Sequence, residues 1–214
     1  MSYRKAARLV SEQYLHRDPL GALQSALQEL DKVRLGKRDA DWHHCRGFCY
    51  YELDEDDLAE PEFRQALQAK PDHALANLYL GHVLFDREEY AEALVHFLRL
   101  NEPWFQDFGQ PWRILKNREL VLCCQLYTQP RMPPILAMEQ LVDLYGNDPL
   151  SAPLPLEMVR CLDQLTWQGR LKGKPLTKWF RHLEDLVNVS GHSHNPSLSP
   201  ALTRISESAR AQSQ

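Results

Sequence analysis

Apolar residues recur at helical spacing through most of the chain, in segments separated by short polar turns. Residues 3–16, 117–128, 137–149, 154–168 and 175–189 show this pattern. In residues 19–35 the apolar positions lie three or four residues apart, as on one face of a helix: Leu20, Leu23, Leu27, Leu30 and Val33. Asp18–Pro19 supplies an N-cap and a first-turn proline for that segment. Gly is scarce, at 9 of 214 residues, so the pattern predicts a helical chain rather than a β-sandwich.

Two stretches of the chain superimpose at an offset of 34 residues. Small and large residues occupy the same places in both copies: Gly47 and Gly81, Ala59 and Ala93, Phe63 and Phe97. Small residues let two helices approach closely, and large ones fill the gap between them. Pro71 closes the first copy and Pro103 follows the second.

This pattern resembles the tetratricopeptide repeat (TPR) family, whose 34-residue unit is a helix–turn–helix. The repeats run over residues 40–73 and 74–107, and the second contains the run Asp86–Leu94, very similar to the family's turn into its second helix. The resemblance implies an all-α fold, a short right-handed α-α superhelix with degenerate flanking helices. Pro61 falls inside the expected second helix of the first repeat, so we predict that this helix starts late, near Asp57, with Pro61 in its first turn.

About three repeats are needed to bury a continuous core, so the flanking segments should supply further helices. We therefore expect one helical domain over residues 1–189. The composition then changes to Ser, Arg, Gln and few apolar residues, which predicts a mostly disordered tail over 190–214, with a short transient helix at 199–210 as an option.

The TPR resemblance also implies which residues face a concave groove. They are Asp41, His44, Cys45, Phe48, Tyr51 and Glu52 in the first repeat, and Leu75, Leu78, Tyr79, His82, Phe85 and Asp86 in the second. We expect an exposed aromatic and apolar surface with acidic edges, of the kind that anchors a partner. The alternative is that flanking helices cover these residues as ordinary core.

The net charge and two charged segments limit which partners are expected. The net charge is −4, which argues against a strongly basic nucleic-acid binder. Residues 52–62 nevertheless hold seven carboxylates and no base, either a solvated turn with acids at a helix N-terminus or a surface for a basic partner. The segment 167–181 combines basic residues with Trp and Phe, which indicates a solvated helix face more than a nucleic-acid contact.

The segment 103–112 holds four aromatic residues and two prolines, Pro103 and Pro111. We expect a hydrophobic plug that turns the helical stack, the alternative being an inserted partner-binding loop.

Five cysteines, two of them adjacent, indicate reduced thiols rather than a disulfide framework. Cys45 and Cys49 lie four residues apart beside His43 and could form half a zinc site, but no second pair has suitable spacing. No phosphate-binding loop, nucleophile elbow or metalloprotease motif is present. We therefore expect no metal, no cofactor and no catalysis.

These observations predict a cytoplasmic protein-interaction module, either a TPR adaptor or a dedicated chaperone, that holds a protein or peptide in its groove, a basic partner being one option. The alternative is a cytosolic immunity protein that neutralises a toxin or enzyme through its acidic surface. Neither a membrane nor nucleic acid is expected as a partner. The oligomeric state is left open by the sequence.

Overall fold

The computed structural model describes residues 4–147, 155–170, 203, 204 and 207, and every regular element in these ranges is helical. The all-α prediction is therefore confirmed. The chain divides into two compact units, Met1–Asn101 and Glu102–Gln214.

The N-terminal unit contains three successive helical hairpins. Their helices are α1 (Arg4–Ser11), α2 (Pro19–Asp31), α3 (Ala40–Tyr51), α4 (Asp56–Ala69), α5 (Ala74–Asp86) and α6 (Tyr90–Phe97). Residues 40–97 form two successive hairpins, as the repeats predict, and α1 with α2 forms the divergent hairpin before them.

Each repeat makes its internal turn with the same backbone motif. After α3, Glu55 N–H donates to the Tyr50 carbonyl at 2.9 Å and Asp54 N–H to that of Tyr51 at 3.1 Å. After α5 the equivalent bonds run from Glu89 and Glu88, which lie 34 residues further along. This is a Schellman cap, which satisfies carbonyls left free at the end of a helix.

The small-to-large pattern is confirmed as a packing device. A Cβ atom added to Gly47 would lie 2.8 Å from the Phe63 ring, and one added to Gly81 would lie 2.5 Å from the Phe97 ring. Both rings are essentially buried, at 0% and 1% exposure. In each hairpin the glycine therefore lets the phenylalanine of the second helix lie against the backbone of the first.

Pro61 does not lie where the sequence predicted. Helix α4 begins at Asp56, so Pro61 falls in its second turn rather than its first. The proline removes the N–H that would reach the Asp57 carbonyl. Because Pro61 is exposed, water can reach this side of the helix and solvate that carbonyl.

The second unit contains α7 (Glu102–Asp107), α8 (Pro111–Thr128), α9 (Pro134–Asn147) and α10 (Leu156–Trp167). Helices were predicted near the positions of α8, α9 and α10. Helix α8 starts six residues earlier than expected, because Pro111 suits its first turn and Ile114 and Leu115 are buried.

The aromatic segment 103–112 serves only partly as a plug. Phe105 is fully buried, whereas Phe108 is 62% exposed and stacks on Trp104 with ring centroids 4.2 Å apart. Trp112, at the start of α8, is 43% exposed.

A buried carboxylate joins three helices of this unit. Glu119 of α8 has 0% exposure. Its oxygens accept hydrogen bonds from the Tyr145 hydroxyl at 2.9 Å and from the Met158 N–H at 2.8 Å, and Lys116 Nζ lies 3.0 Å away. Because Met158 is the third residue of α10, Glu119 caps that helix from another part of the chain.

The predicted helix 175–189 lies outside the described residues, as does almost all of the predicted tail. Within the tail only Thr203, Arg204 and Glu207 are described, and these are helical. No helix in the described part of the chain combines the length and apolar character needed to cross a bilayer.

Candidate functional site

Helices α3 and α5 contact each other and bring five of the predicted groove residues into one aromatic cluster. The Tyr79 ring lies at its centre, with ring centroids 4.9 Å from Phe48, 5.4 Å from Tyr51 and 6.1 Å from His44. His82 lies 6.4 Å from Tyr51. The 34-residue repeat thus places these rings on facing sides of two neighbouring helices.

The second helices of the hairpins complete the cluster. Phe63 of α4 stacks on Tyr79 at 5.9 Å and an interplanar angle of 15°. Phe97 of α6 lies 5.6 Å from His82 and 6.4 Å from Phe85. The phenylalanines that fill the glycine gaps therefore also support the rings of the inner helices.

The expectation of an exposed aromatic surface is wrong for half of the predicted residues. Those at most 9% exposed are His44, Cys45, Phe48, Leu78, Tyr79 and Phe85. The physical reason is that rings from successive hairpins pack against one another. They form part of the core of the N-terminal unit.

The remaining predicted residues form the accessible edge of the cluster. Tyr51, Leu75 and His82 are half-buried, as is Glu52, and Asp41 and Asp86 are exposed. We call these six residues the groove edge.

Electrostatics at the groove edge keep the tyrosine hydroxyl neutral. Burial raises the pKa of Tyr51, and the nearby Asp86 carboxylate raises it further. Glu52 and Asp56 act in the same direction. A neutral hydroxyl beside several carboxylates can donate a hydrogen bond, and the negative field favours a cation.

His73 is a residue of this region that the sequence analysis missed. Its Nδ1 accepts a hydrogen bond from the Ala76 N–H at 3.1 Å and so caps α5, while its Nε2 lies 3.0 Å from Asp41 Oδ1. Because Nδ1 is the acceptor, Nε2 carries the proton and donates to Asp41. The 34-residue period could have identified His73. Asp39 occupies the same position in the first repeat and caps α3 by accepting a hydrogen bond from the Trp42 N–H.

The acidic run 52–62 is not free of basic partners once the chain is folded. Glu62 pairs with Arg46 at 3.1 Å, and Asp57 pairs with Arg87 at 2.8 Å. Glu60 pairs with Arg64 at 2.8 Å and with Arg87 at 2.5 Å. Although partial burial opposes it, these hydrogen bonds lower the pKa of Glu60. Part of the run therefore ties the helices together.

The cysteines lie in packed surroundings. Cys45 and Cys49 belong to the apolar cluster of α1, α2 and α3, and burial raises the pKa of each thiol to about 12. His43 pairs with Glu62 through Nδ1 at 2.7 Å rather than facing the two thiols. Among the residues that the structure describes, no three His, Cys, Asp or Glu side chains are grouped to hold a metal ion.

No protein-family model matches the chain, and no curated protein matches it significantly. Solved structures do match its fold. The fragment of MamA from Desulfovibrio magneticus RS-1 that runs from residue 41 to the end aligns with 100% of this chain and 100% of its own, at 18% identity and a TM-score of 0.52.

Two further structures give similar values. The MamA RS-1 ArsTM double mutant aligns over 99% of this chain and 98% of its own, at 18% identity and a TM-score of 0.53. PilF from Pseudomonas aeruginosa aligns over 98% and 95%, at 19% identity and a TM-score of 0.53. MamA and PilF are TPR-containing proteins, so the fold of this chain is TPR-like. At these identities the likeness concerns the fold alone.

Proposed function

We propose that this protein is a non-catalytic interaction module that binds a partner polypeptide along the groove edge of α3 and α5. The observation that carries the proposal is the register of the two repeats. It places two inner helices side by side, with a buried aromatic floor and a row of accessible side chains along one edge. TPR-like hairpins commonly use such inner helices to bind extended or helical segments.

The burial of the rings changes how a partner would bind. Phe48, Tyr79 and Phe85 act as a rigid floor and do not insert into the partner. The contacts come instead from Tyr51 and Leu75, which are half-buried and offer apolar area with little loss of entropy.

Charge at the groove edge favours a basic partner. Asp41 and Asp86 are exposed at opposite ends of the row, near the start of α3 and the end of α5. Lys or Arg side chains on a bound segment would meet them on both sides. Such rim charges act mainly on the association rate and on specificity.

The structure favours an adaptor or dedicated chaperone over an immunity protein. A toxin inhibitor of the predicted kind needs its acidic run available to a basic enzyme surface. Here Glu60 and Glu62 are half-buried and held by arginines of the same unit, while Asp57 pairs with Arg87 and stays exposed. The acidic surface that faces outward is correspondingly smaller.

Affinity purification with mass spectrometry tests the proposal. The bait is the full chain, compared with Tyr51→Ala/Leu75→Ala. The matched control is Leu58→Ala/Val95→Ala, which removes two side chains, 47% and 45% exposed, from the second helices of the same hairpins. We expect a partner recovered with the wild type and the control to be reduced at least tenfold with the groove-edge variant.

Circular dichroism and thermal unfolding of each variant show whether the fold is intact. Equal recovery of every partner by a folded groove-edge variant would place the binding surface elsewhere. Buried rings such as Tyr79 are unsuitable for this test, since their removal would disturb the core.

A further inference from the structure

The first hairpin of the N-terminal unit carries the opposite charge to the two hairpins that follow it. Residues 1–38 contain eight Lys and Arg against four Asp and Glu, a net charge of +4. Residues 39–101 contain five against fourteen, a net charge of −9. The overall charge of −4 does not show this separation. The positive charge of the first hairpin suits an anionic ligand that is distinct from the partner of the groove edge.

The fold gathers the basic residues at one end of this hairpin. Helices α1 and α2 pack together, and Lys5 Nζ near the start of α1 lies 2.8 Å from Glu29 Oε1 near the end of α2. Lys32 Nζ reaches the same oxygen at 2.8 Å. Hydrogen bonds from Lys32 and Lys5 lower the pKa of Glu29 to about 2. The start of α1 therefore lies beside the α2–α3 connection, which adds Arg34 and Lys37.

The α2–α3 connection is a braced turn. Leu35–Lys37 forms a single turn of 3-10 helix, closed by hydrogen bonds from Lys37 N–H to the Arg34 carbonyl at 2.9 Å and from Arg38 N–H to the Leu35 carbonyl at 3.2 Å. The Arg38 guanidinium lies 4.4 Å from the centre of the Trp42 ring. The Trp42 indole is 1% exposed, so the turn is attached to the core.

This braced turn holds a leucine out in solvent. Leu35 is 79% exposed, with the exposed side chains of Arg34 and Lys37 on either side of it. Within the part of the chain that the structure describes, no atom lies within 4 Å of where a Cβ on Gly36 would be, so the turn protrudes.

The acidic residues nearest to this end have partners inside the unit. Asp31 Oδ1 accepts from Arg46 at 2.7 Å, and Asp39 Oδ1 accepts from the Trp42 N–H at 2.9 Å. Together with the lysine-paired Glu29, they leave the cations at the tip as the dominant charges facing outward.

We propose that this end of the hairpin docks on the surface of an anionic lipid bilayer. We call it the basic tip and define it by six residues: Arg4, Lys5, Lys32, Arg34, Leu35 and Lys37. Lys and Arg near such a surface contribute about 1 kcal/mol each. The leucine inserts at the level of the headgroups, as apolar side chains of peripheral proteins do.

The shape of the basic tip favours a bilayer over a macromolecule with a fixed surface. A folded protein partner would need a complementary pocket for the protruding Leu35, whereas a fluid lipid interface accepts a protruding aliphatic side chain without one. Nucleic acid would use the cations but gain nothing from an aliphatic side chain. Docking of this kind crosses no membrane, and it revises the expectation that no membrane is a partner.

Vesicle co-sedimentation of the full chain tests the inference. Vesicles of phosphatidylcholine mixed with anionic phosphatidylglycerol are compared with vesicles of phosphatidylcholine alone. We expect binding only to the anionic vesicles. Arg34→Gln/Lys37→Gln should lower the partition coefficient about 25-fold, at about fivefold per cation. Leu35→Ser should lower it about tenfold.

The opposite end of the same hairpin supplies matched controls. Leu15 is 85% exposed there, and Arg17 is exposed beside it. Leu15→Ser and Arg8→Gln/Arg17→Gln make the same chemical changes away from the basic tip, since Arg8 is exposed in the last turn of α1. Both should leave the partition coefficient within about twofold.

Three results would overturn the inference. The first is failure to bind anionic vesicles. The second is equal binding to both kinds of vesicle. The third is equal loss in the tip and control variants. If the tip variants instead lose binding to RNA or to polyglutamate while vesicle binding is absent or unchanged, the basic tip serves a polyanion and the membrane proposal is wrong. Partner recovery by the groove-edge variants is measured separately, so either proposal can fail alone.

Discussion

At the scale of single residues, the turns inside the two repeats have non-glycine residues at a backbone position where glycine is favoured. Among the described residues, four helices end in the same Schellman hydrogen-bond pattern with a residue at positive φ. In two of them that residue is glycine, Gly109 and Gly169, with φ of 67° and 69°. In the two repeats it is Asp54 and Glu88, with φ of 59° and 63°. A side chain with a Cβ is disfavoured there by about 1–2 kcal/mol.

Glu88→Gly should therefore stabilise the N-terminal unit. The relief of backbone strain exceeds the entropy that glycine loses on folding, and we expect a net gain of about 0.5–1 kcal/mol in the free energy of unfolding by urea. Glu88→Ala is the control, because it removes the exposed carboxylate and keeps the Cβ. A glycine variant no more stable than the alanine variant would contradict this account.

At the scale of elements, each hairpin of the repeat depends on one glycine and one phenylalanine. Gly81 on α5 and Phe97 on α6 are in van der Waals contact that leaves no room for a Cβ. The ring is 1% exposed and bounded by His82 and Phe85, so it has little freedom to move away.

Gly81→Ala should destabilise the N-terminal unit by about 1–3 kcal/mol through overpacking. Combining it with Phe97→Leu tests the cause, since the smaller side chain makes room for the new methyl group. We expect the double variant to be less destabilised than the sum of the two single variants, measured by urea denaturation. Additive effects would show that the methyl group clashes with something other than the ring.

At the scale of the whole molecule, the chain is built from two units that each have their own core. In the first, apolar and aromatic side chains fill the space between hairpins. In the second, the buried Glu119 carboxylate joins α8, α9 and α10 through Tyr145 and the Met158 N–H. A buried carboxylate of this kind is strongly destabilising to remove when its partners are left without a replacement.

Glu119→Leu should cost the second unit about 3–5 kcal/mol, whereas Glu119→Gln should cost less because it still accepts the Met158 hydrogen bond. Hydrogen exchange followed by mass spectrometry locates the effect. We expect faster exchange in peptides from α8, α9 and α10, with α3 to α6 unchanged. Equal loss of protection in both units would show that they unfold together.

How much of this molecule could be predicted differs between fold and site. The helical hairpins of residues 40–97 follow from the 34-residue period. The spacing of small and large residues indicates which faces of the two helices in each hairpin pack together. Of the groove-edge residues, Tyr51 and His82 lie 6.4 Å apart on the two neighbouring helices. Their use in binding stays a prediction.

The sequence by itself determined the elements and their pairing, because helix periodicity, caps and the Gly–Phe pattern act over a few residues or one repeat. Only the tertiary structure decided which rings are buried and which acids are neutralised. Exposure of Tyr79 depends on Phe48 and Phe63 packing around it, and the charge of the acidic run depends on Arg87, 27 residues beyond Glu60. Burial and ion pairing depend on the distances between helices, and these distances cannot be derived from the spacing of residues along one segment of the chain.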